Sequence, residues 1–161
     1  MNSNNAHFDM QNAAFAHSVL AKAQASGVSL FLYDRTQTNT PISFLYSTGI
    51  SAEINAEYAV DTHKYDPLIP HTASVISHCK TYTGINYKGM KPTQELHAGC
   101  NEQYWDKLGH DGFFEAAARI HSLSSNLYLI VGMLSNEPKK HLSIENAMGD
   151  VEDWLQESSK F

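Results

Sequence analysis

Long apolar runs are missing from this sequence. None approaches the ~20 residues a helix needs to cross a bilayer, and the start, Met1-Asn2-Ser3-Asn4-Asn5-Ala6-His7, lacks the basic and apolar segments of a secretion signal. Cysteine is scarce as well: Cys79 and Cys100 cannot build a disulfide framework. Basic residues are outnumbered, 11 Lys and Arg against 17 Asp and Glu, for a formal net charge of −6. Phosphate recognition needs clustered cations, and Lys139-Lys140 is the one basic doublet, which suits a solvated turn. Direct binding to nucleic acid or to an anionic membrane is therefore not expected, and a reducing cytoplasm is. Three common signatures are absent too: Gly-x-Ser-x-Gly, a Gly-rich phosphate loop and His-Glu-x-x-His.

What is present is ordinary folded-protein chemistry, 42% hydrophobic and 17% charged. Without repeats or low-complexity linkers, 161 residues read as a single domain, 1–161. Residues 7–25 are alanine-rich, with Phe8, Phe15, Val19, Ala16, Leu20 and Ala23 on adjacent stripes, and predict a helix closed by Gly27. Val28–Tyr33 and Pro41–Tyr46, joined by the turn residues of Asp34–Thr40, predict an antiparallel hairpin. Ser51 caps a helix of about two and a half turns. A short helix is expected over 70–78, an edge strand within Lys80–Tyr87, and a helix opened by Pro92 that carries Leu96, Cys100, Tyr104, Trp105 and Leu108 and closes at Gly109.

Residues 113–121 and 126–134 form the clearest strand pair. The second run is apolar on both faces and is expected at the centre of a sheet. A final helix starts at Leu142-Ser143 and buries Ile144, Ala147, Met148, Val151, Trp154 and Leu155. The order predicts an α+β domain: an antiparallel sheet of about five strands with helices on both faces.

One segment stands out, Tyr58-Ala59-Val60-Asp61-Thr62-His63-Lys64-Tyr65-Asp66-Pro67-Leu68. Proline excludes the helical region for the residue before it, so the helix must break at Asp66. A carboxylate held at a break between aromatic residues can fix a small polar ligand or simply cap the turn that follows. This segment, the element order and the Ser-capped last helix resemble the N-terminal autoinducer-binding sensing domain of LuxR-type transcription regulators, over roughly residues 10–157. The resemblance implies a PAS/GAF-like fold, a small-molecule ligand, a homodimer, and a place ahead of a helix-turn-helix domain, for which this chain has no segment.

By motif, Asp66 takes the place of the aspartate that accepts a hydrogen bond from an acyl-homoserine lactone amide, and Tyr58 that of an upstream tyrosine. The family's tryptophans differ here. Glu53, Ile54 and Asn55 stand one turn before the tyrosine, and Cys79-Lys80-Thr81-Tyr82-Thr83-Gly84 replaces the Pro-Ile/Val-x-Trp segment. No serine or threonine occurs within Leu127–Leu134. The expected ligand is therefore not a standard acyl-homoserine lactone.

Asp66 is expected to point into a cavity bounded by Tyr58, Tyr82 and Trp105. The residues expected to surround the ligand are Asp66, Tyr58, Tyr46, Tyr82, Trp105, Tyr33 and His121, with Tyr65 and Tyr104 on the same side of the sheet. Buried tyrosines need partners for their hydroxyls, which is why such a cluster marks a pocket or an interface as well as a plain aromatic core. No cofactor and no metal are expected. His97 and Cys100 share a helical face, but one such pair falls short of a four-ligand zinc site, and Cys100 sits in the apolar row Leu96–Leu108. The domain is read as a binding module, not an enzyme. The alternative is a small α+β enzyme that uses the same cavity, with Asp66, Glu115 and His121 as acid/base groups.

Overall fold

The structure, a computed structural model, describes residues 3–70, 80–85, 98–137 and 142–158, and side chains within 10–70, 103–137 and 142–158. The elements run α1 (Ser3–Lys22), β1 (Gly27–Asp34), β2 (Ile42–Thr48), α2 (Ala52–Val60), a 3-10 turn (Thr62–Tyr65), β3 (Lys80–Ile85), α3 (Ala98–His110), β4 (Glu115–Ser122), β5 (Leu127–Ser135) and α4 (Ile144–Ser158). The five strands form one antiparallel sheet in the order β2-β1-β5-β4-β3. β5 takes the centre, as its two apolar faces predict. Leu129, Val131 and Met133 pack to one side, Tyr128 and Ile130 to the other.

Two helical layers cover the sheet. On one face α1, the Ala23 that follows it, and α4 bury Ala16, Val19, Ala23, Ala147, Val151 and Leu155 against Val28, Leu30, Val131 and Met133. The α4 stripe is the predicted one. Trp154 stacks on Phe15 with ring centroids 4.7 Å apart, and its indole N–H donates to Asn12 Oδ1 at 3.0 Å. The other face is covered by α3 and the 66–69 segment, which pack Tyr104, Trp105, Leu108, Leu68 and Ile69 onto Phe31, Tyr33, Ala116, Ala118, Ile120 and Ile130.

Two local details differ from expectation. Helix α1 ends before Gly27: Lys22 is its last residue, and Gln24 takes the left-handed conformation at φ 56°. Gly27 opens β1 instead, where a Cβ would come within 2.7 Å of the Ile50 side chain. Strand β2 carries a bulge: Leu30 lies opposite Tyr46, but Phe31 lies opposite Phe44, which leaves Leu45 as the extra residue. The predicted helix over 70–78 and the Pro92 start of α3 lie outside the described residues.

Candidate functional site

Ser51 caps α2 by accepting from the Ile54 N–H at 3.2 Å, and the helix runs to Val60. After one 3-10 turn the chain reaches Asp66 in an extended conformation (φ −70°, ψ 112°), as a residue before proline must be. Leu68 and Ile69 follow and are buried, which draws the segment down onto the sheet. Asp66 goes with it and keeps only 4% of its surface exposed.

The two carboxylate oxygens divide the two roles foreseen for this residue. Oδ1 accepts from the Leu68 N–H at 2.8 Å, closing the turn, while Oδ2 accepts from the Tyr58 hydroxyl at 2.6 Å. Tyr58 is steadied in its turn by His63, whose Nδ1 donates to the Tyr58 carbonyl at 2.9 Å. A carbonyl oxygen accepts only, so the ring proton lies on Nδ1. Burial pushes the Asp66 carboxyl up to about 6, against the lowering pull of the Tyr58 hydroxyl, the Leu68 amide and the His63 ring. Burial also raises the Tyr58 and Tyr104 phenols well above their usual range, and the Asp66 charge adds to both shifts.

Beside this carboxylate lies a cavity of about 70 Å³. Its floor is the sheet, through Ser29, Phe31, Ala116, Ala118, Ile130 and Gly132. Its walls and roof come from Ile54, Asn55 and Tyr58 of α2, Asp66 and Leu68 of the turn, and Tyr104, Lys107 and Leu108 of α3. At one edge the Lys107 ammonium contacts Glu57 of α2 and bonds Asp111 at 2.9 Å, so an ionic bridge ties α2 to α3. A mostly apolar chamber with a few convergent polar groups is what small-molecule binding requires.

The predicted site residues divide by face. Asp66 and Tyr58 line the cavity, as does Tyr104. Tyr33 and Trp105 are buried on the same face but outside the lining. Tyr33 stacks with Tyr128 at 6.3 Å between centroids, and Trp105 meets Tyr104 edge-on at 5.1 Å. The Trp105 indole N–H has no hydrogen-bond partner among the described residues. Tyr65 borders an outer groove between α2 and α3. Tyr82 stands opposite Ala118 in the β3–β4 register, and its side chain lies outside the described residues. His97 and Cys79 also lie outside them, as does the side chain of Cys100. Among the described residues no group of three or more His, Cys, Asp and Glu is placed to hold a metal.

Tyr46 and His121 are not part of this chamber. The bulge at Leu45 turns Tyr46 to the α1/α4 face, where its hydroxyl lies 3.2 Å from His17 Nε2. His121 alternates with Ala117 and Arg119 on that same face. There Glu115 Oε2 accepts from the Leu142 N–H at 3.1 Å, and Arg119 pairs with Glu152 of α4. The acid/base trio of Asp66, Glu115 and His121 is therefore split by the sheet and shares no cavity. The sequence reading did not pick out Ser29, Asn55, Lys107 or Gly132. Only Gly132 left a trace in the sequence: a glycine inside an otherwise apolar strand.

No family model matches the chain, and no curated protein does. Solved structures do share its fold. The VqsR ligand-binding domain from Pseudomonas aeruginosa superposes with a TM-score of 0.61 at 10% identity, over 92% of this chain and 82% of that one. A domain assigned to a two-component sensor histidine kinase protein from Sinorhizobium meliloti gives 0.57 at 12% identity, over 93% and 89%. Escherichia coli SdiA gives 0.58 at 12% identity, over 92% of this chain and 62% of SdiA, so the chain spans less than two thirds of that protein. At these identities the likeness is one of fold: the chain shares with these structures an antiparallel PAS/GAF-like sheet between two helical layers.

Proposed function

We propose that the chain is a small-molecule-sensing domain of the LuxR-regulator type, working as a cytoplasmic homodimer, with Asp66 and Tyr58 as the polar anchors of its ligand. One observation carries this reading: a buried carboxylate, braced by Tyr58 and by the turn it closes, borders an otherwise apolar cavity. A carboxylate oxygen has two lone pairs, so Asp66 can accept from a ligand N–H or O–H in addition to its protein donors. The fold shared with the VqsR ligand-binding domain supports the same reading.

The ligand proposed is not a standard acyl-homoserine lactone. Glu53, Ile54 and Asn55 stand where the resembling family has a tryptophan. The loss of one hydrogen bond to a buried group costs about 1–3 kcal/mol, roughly ten- to a hundred-fold in affinity. Calorimetry against a lactone series is expected to find no nanomolar binder, and one such binder would remove this part of the proposal.

The sensing role is tested by native mass spectrometry of the protein purified from its own host. The expected spectrum carries an added small-molecule mass that denaturation releases. The Asp66→Ala variant is expected to lose the adduct, and Asp66→Asn to fold normally with altered retention. A parent protein free of any adduct, or equal retention by all three forms, would count against the reading.

A further inference from the structure

Helix α2 is the least anchored wall of the chamber. None of its residues is fully buried, and Ile54, Tyr58 and Ala59 are half-buried against the core. The other walls are buried: Tyr104 and Leu108 in α3, Leu68 and Ile69 after Asp66, and Ala116, Ala118 and Ile130 in the sheet. At nine residues α2 also falls short of the ~12–15 at which an isolated helix becomes marginally stable. Its place therefore depends on what its side chains reach.

Three polar ties hold it. Asn55 Nδ2 donates to Ser47 Oγ at 2.9 Å, the Tyr58 hydroxyl donates to Asp66, and Glu57 pairs with the Lys107 ammonium. The third tie is the most open to solvent, with the Glu57 and Lys107 side chains 53% and 29% exposed. An ion pair in such a setting is weak and is screened by salt. Asp111 holds the same ammonium from within α3 at 2.9 Å, so Lys107 keeps a partner when it lets Glu57 go.

The bridge stands between two spaces. Inside lies the chamber beside Asp66. Outside lies a groove between α2 and α3, bordered by Ala56, Glu57, Val60, Tyr65 and Asp106. Lys107 and Thr62 line both. The ionic contact thus closes the chamber toward the groove, and its release joins the two.

We propose that α2 is a lid latched by the Glu57–Lys107 pair, and that the ligand enters and leaves through the groove between α2 and α3. This rests on the sensing role proposed above and adds a control to it. The latch sets how fast the chamber exchanges its contents. Opening also withdraws the Tyr58 hydroxyl from Asp66, so the carboxylate meets the incoming donor while the lid is open.

The test places a thiol on the chamber floor. Ser29 lines it, and Ser29→Cys exchanges a single atom; Ala118→Cys gives a second reporter on the same floor. The full chain is treated with methyl methanethiosulfonate, a small uncharged reagent. Peptide mass spectrometry follows the added methylthio group at each reporter, apart from Cys79 and Cys100. Glu57→Ala, which keeps a good helix former in α2, is expected to speed labelling about two- to five-fold, the worth of one partly exposed ion pair. About 1 M NaCl should speed the parent reporter similarly and leave the Glu57→Ala form unchanged. Lys107→Arg, which keeps the bridge, should label at the parent rate. Lys22→Met removes the Lys22–Asp150 bridge on the opposite face and should not alter the rate.

Labelling indifferent to both Glu57→Ala and salt would overturn the lid. Equal acceleration by Lys22→Met would overturn it too, since the thiol would then be reached by general loosening. So would reporters that react only as fast as the chain unfolds. The adduct measurement on the parent protein decides the sensing role separately, so that role stands if only the lid fails.

Discussion

At the scale of single residues, burial moves the Asp66 carboxyl well away from its free value. Its carboxyl lies near 3.8 when free and rises to about 6 in the fold, chiefly through burial. Between those values the folded chain holds a proton that the unfolded chain has released. The stability Asp66 contributes is therefore fully present below about 3.8 and is lost as pH rises through about 6. The shift corresponds to something on the order of 3 kcal/mol.

Asp66→Asn cannot titrate, and its Oδ1 can still accept from Leu68. Urea unfolding from about pH 4 to about pH 7 should show the Asn variant gaining on the parent by that order of magnitude. Parallel pH profiles would mean that the carboxyl is not raised. The Asp-Pro dipeptide made this residue legible in the sequence, because a steric rule fixes the chain break. Ser29 was not legible, since nothing local distinguishes a serine over a cavity from one in a plain strand.

At the scale of elements, α1 and α4 are joined by a polar contact inside an apolar layer. Asn12 is fully buried, its Oδ1 accepts from Trp154, and its Nδ2 has no hydrogen-bond partner among the described residues. Removing one partner of a buried hydrogen bond costs about 1–3 kcal/mol, whereas replacing both by apolar groups is nearly neutral. Trp154→Phe alone should therefore destabilise by about that amount plus lost packing. Asn12→Leu combined with Trp154→Phe should recover most of the hydrogen-bond part. A double-mutant cycle by denaturant unfolding measures this coupling, and strictly additive effects would refute it.

The amphipathic stripe of α4 and the two-faced apolar run of β5 were legible because each is a periodicity in the sequence. The bulge at Leu45 was not. One extra residue reverses the parity of everything after it, so an unbroken alternation puts Tyr46 on the wrong face.

At the scale of the whole molecule, the proposed homodimer cannot use Trp154 and Leu155 as its seam, since both are buried in the protomer core at 8% and 1% exposure. Among the described residues, the large apolar side chains most open to solvent are Met10 and Val60, both 71% exposed. Sedimentation velocity at high micromolar concentration should show a dimer, and a monomer at every concentration would remove that proposal. No described helix is long and apolar enough to cross a membrane.

The sequence by itself determined the order of elements, the central place of β5, the buried stripe of α4 and the break at Asp66. Each of these follows from the steric or hydrophobic pattern of neighbouring residues. The tertiary structure decided which side chains meet. It brought Ser29, Tyr58, Asp66, Tyr104 and Gly132, from two strands, two helices and one turn, around one cavity. It sent Glu115, Tyr46 and His121 to the other face, because strand pairing, bulges and packing between distant segments fix facing, and no local sequence pattern carries that information.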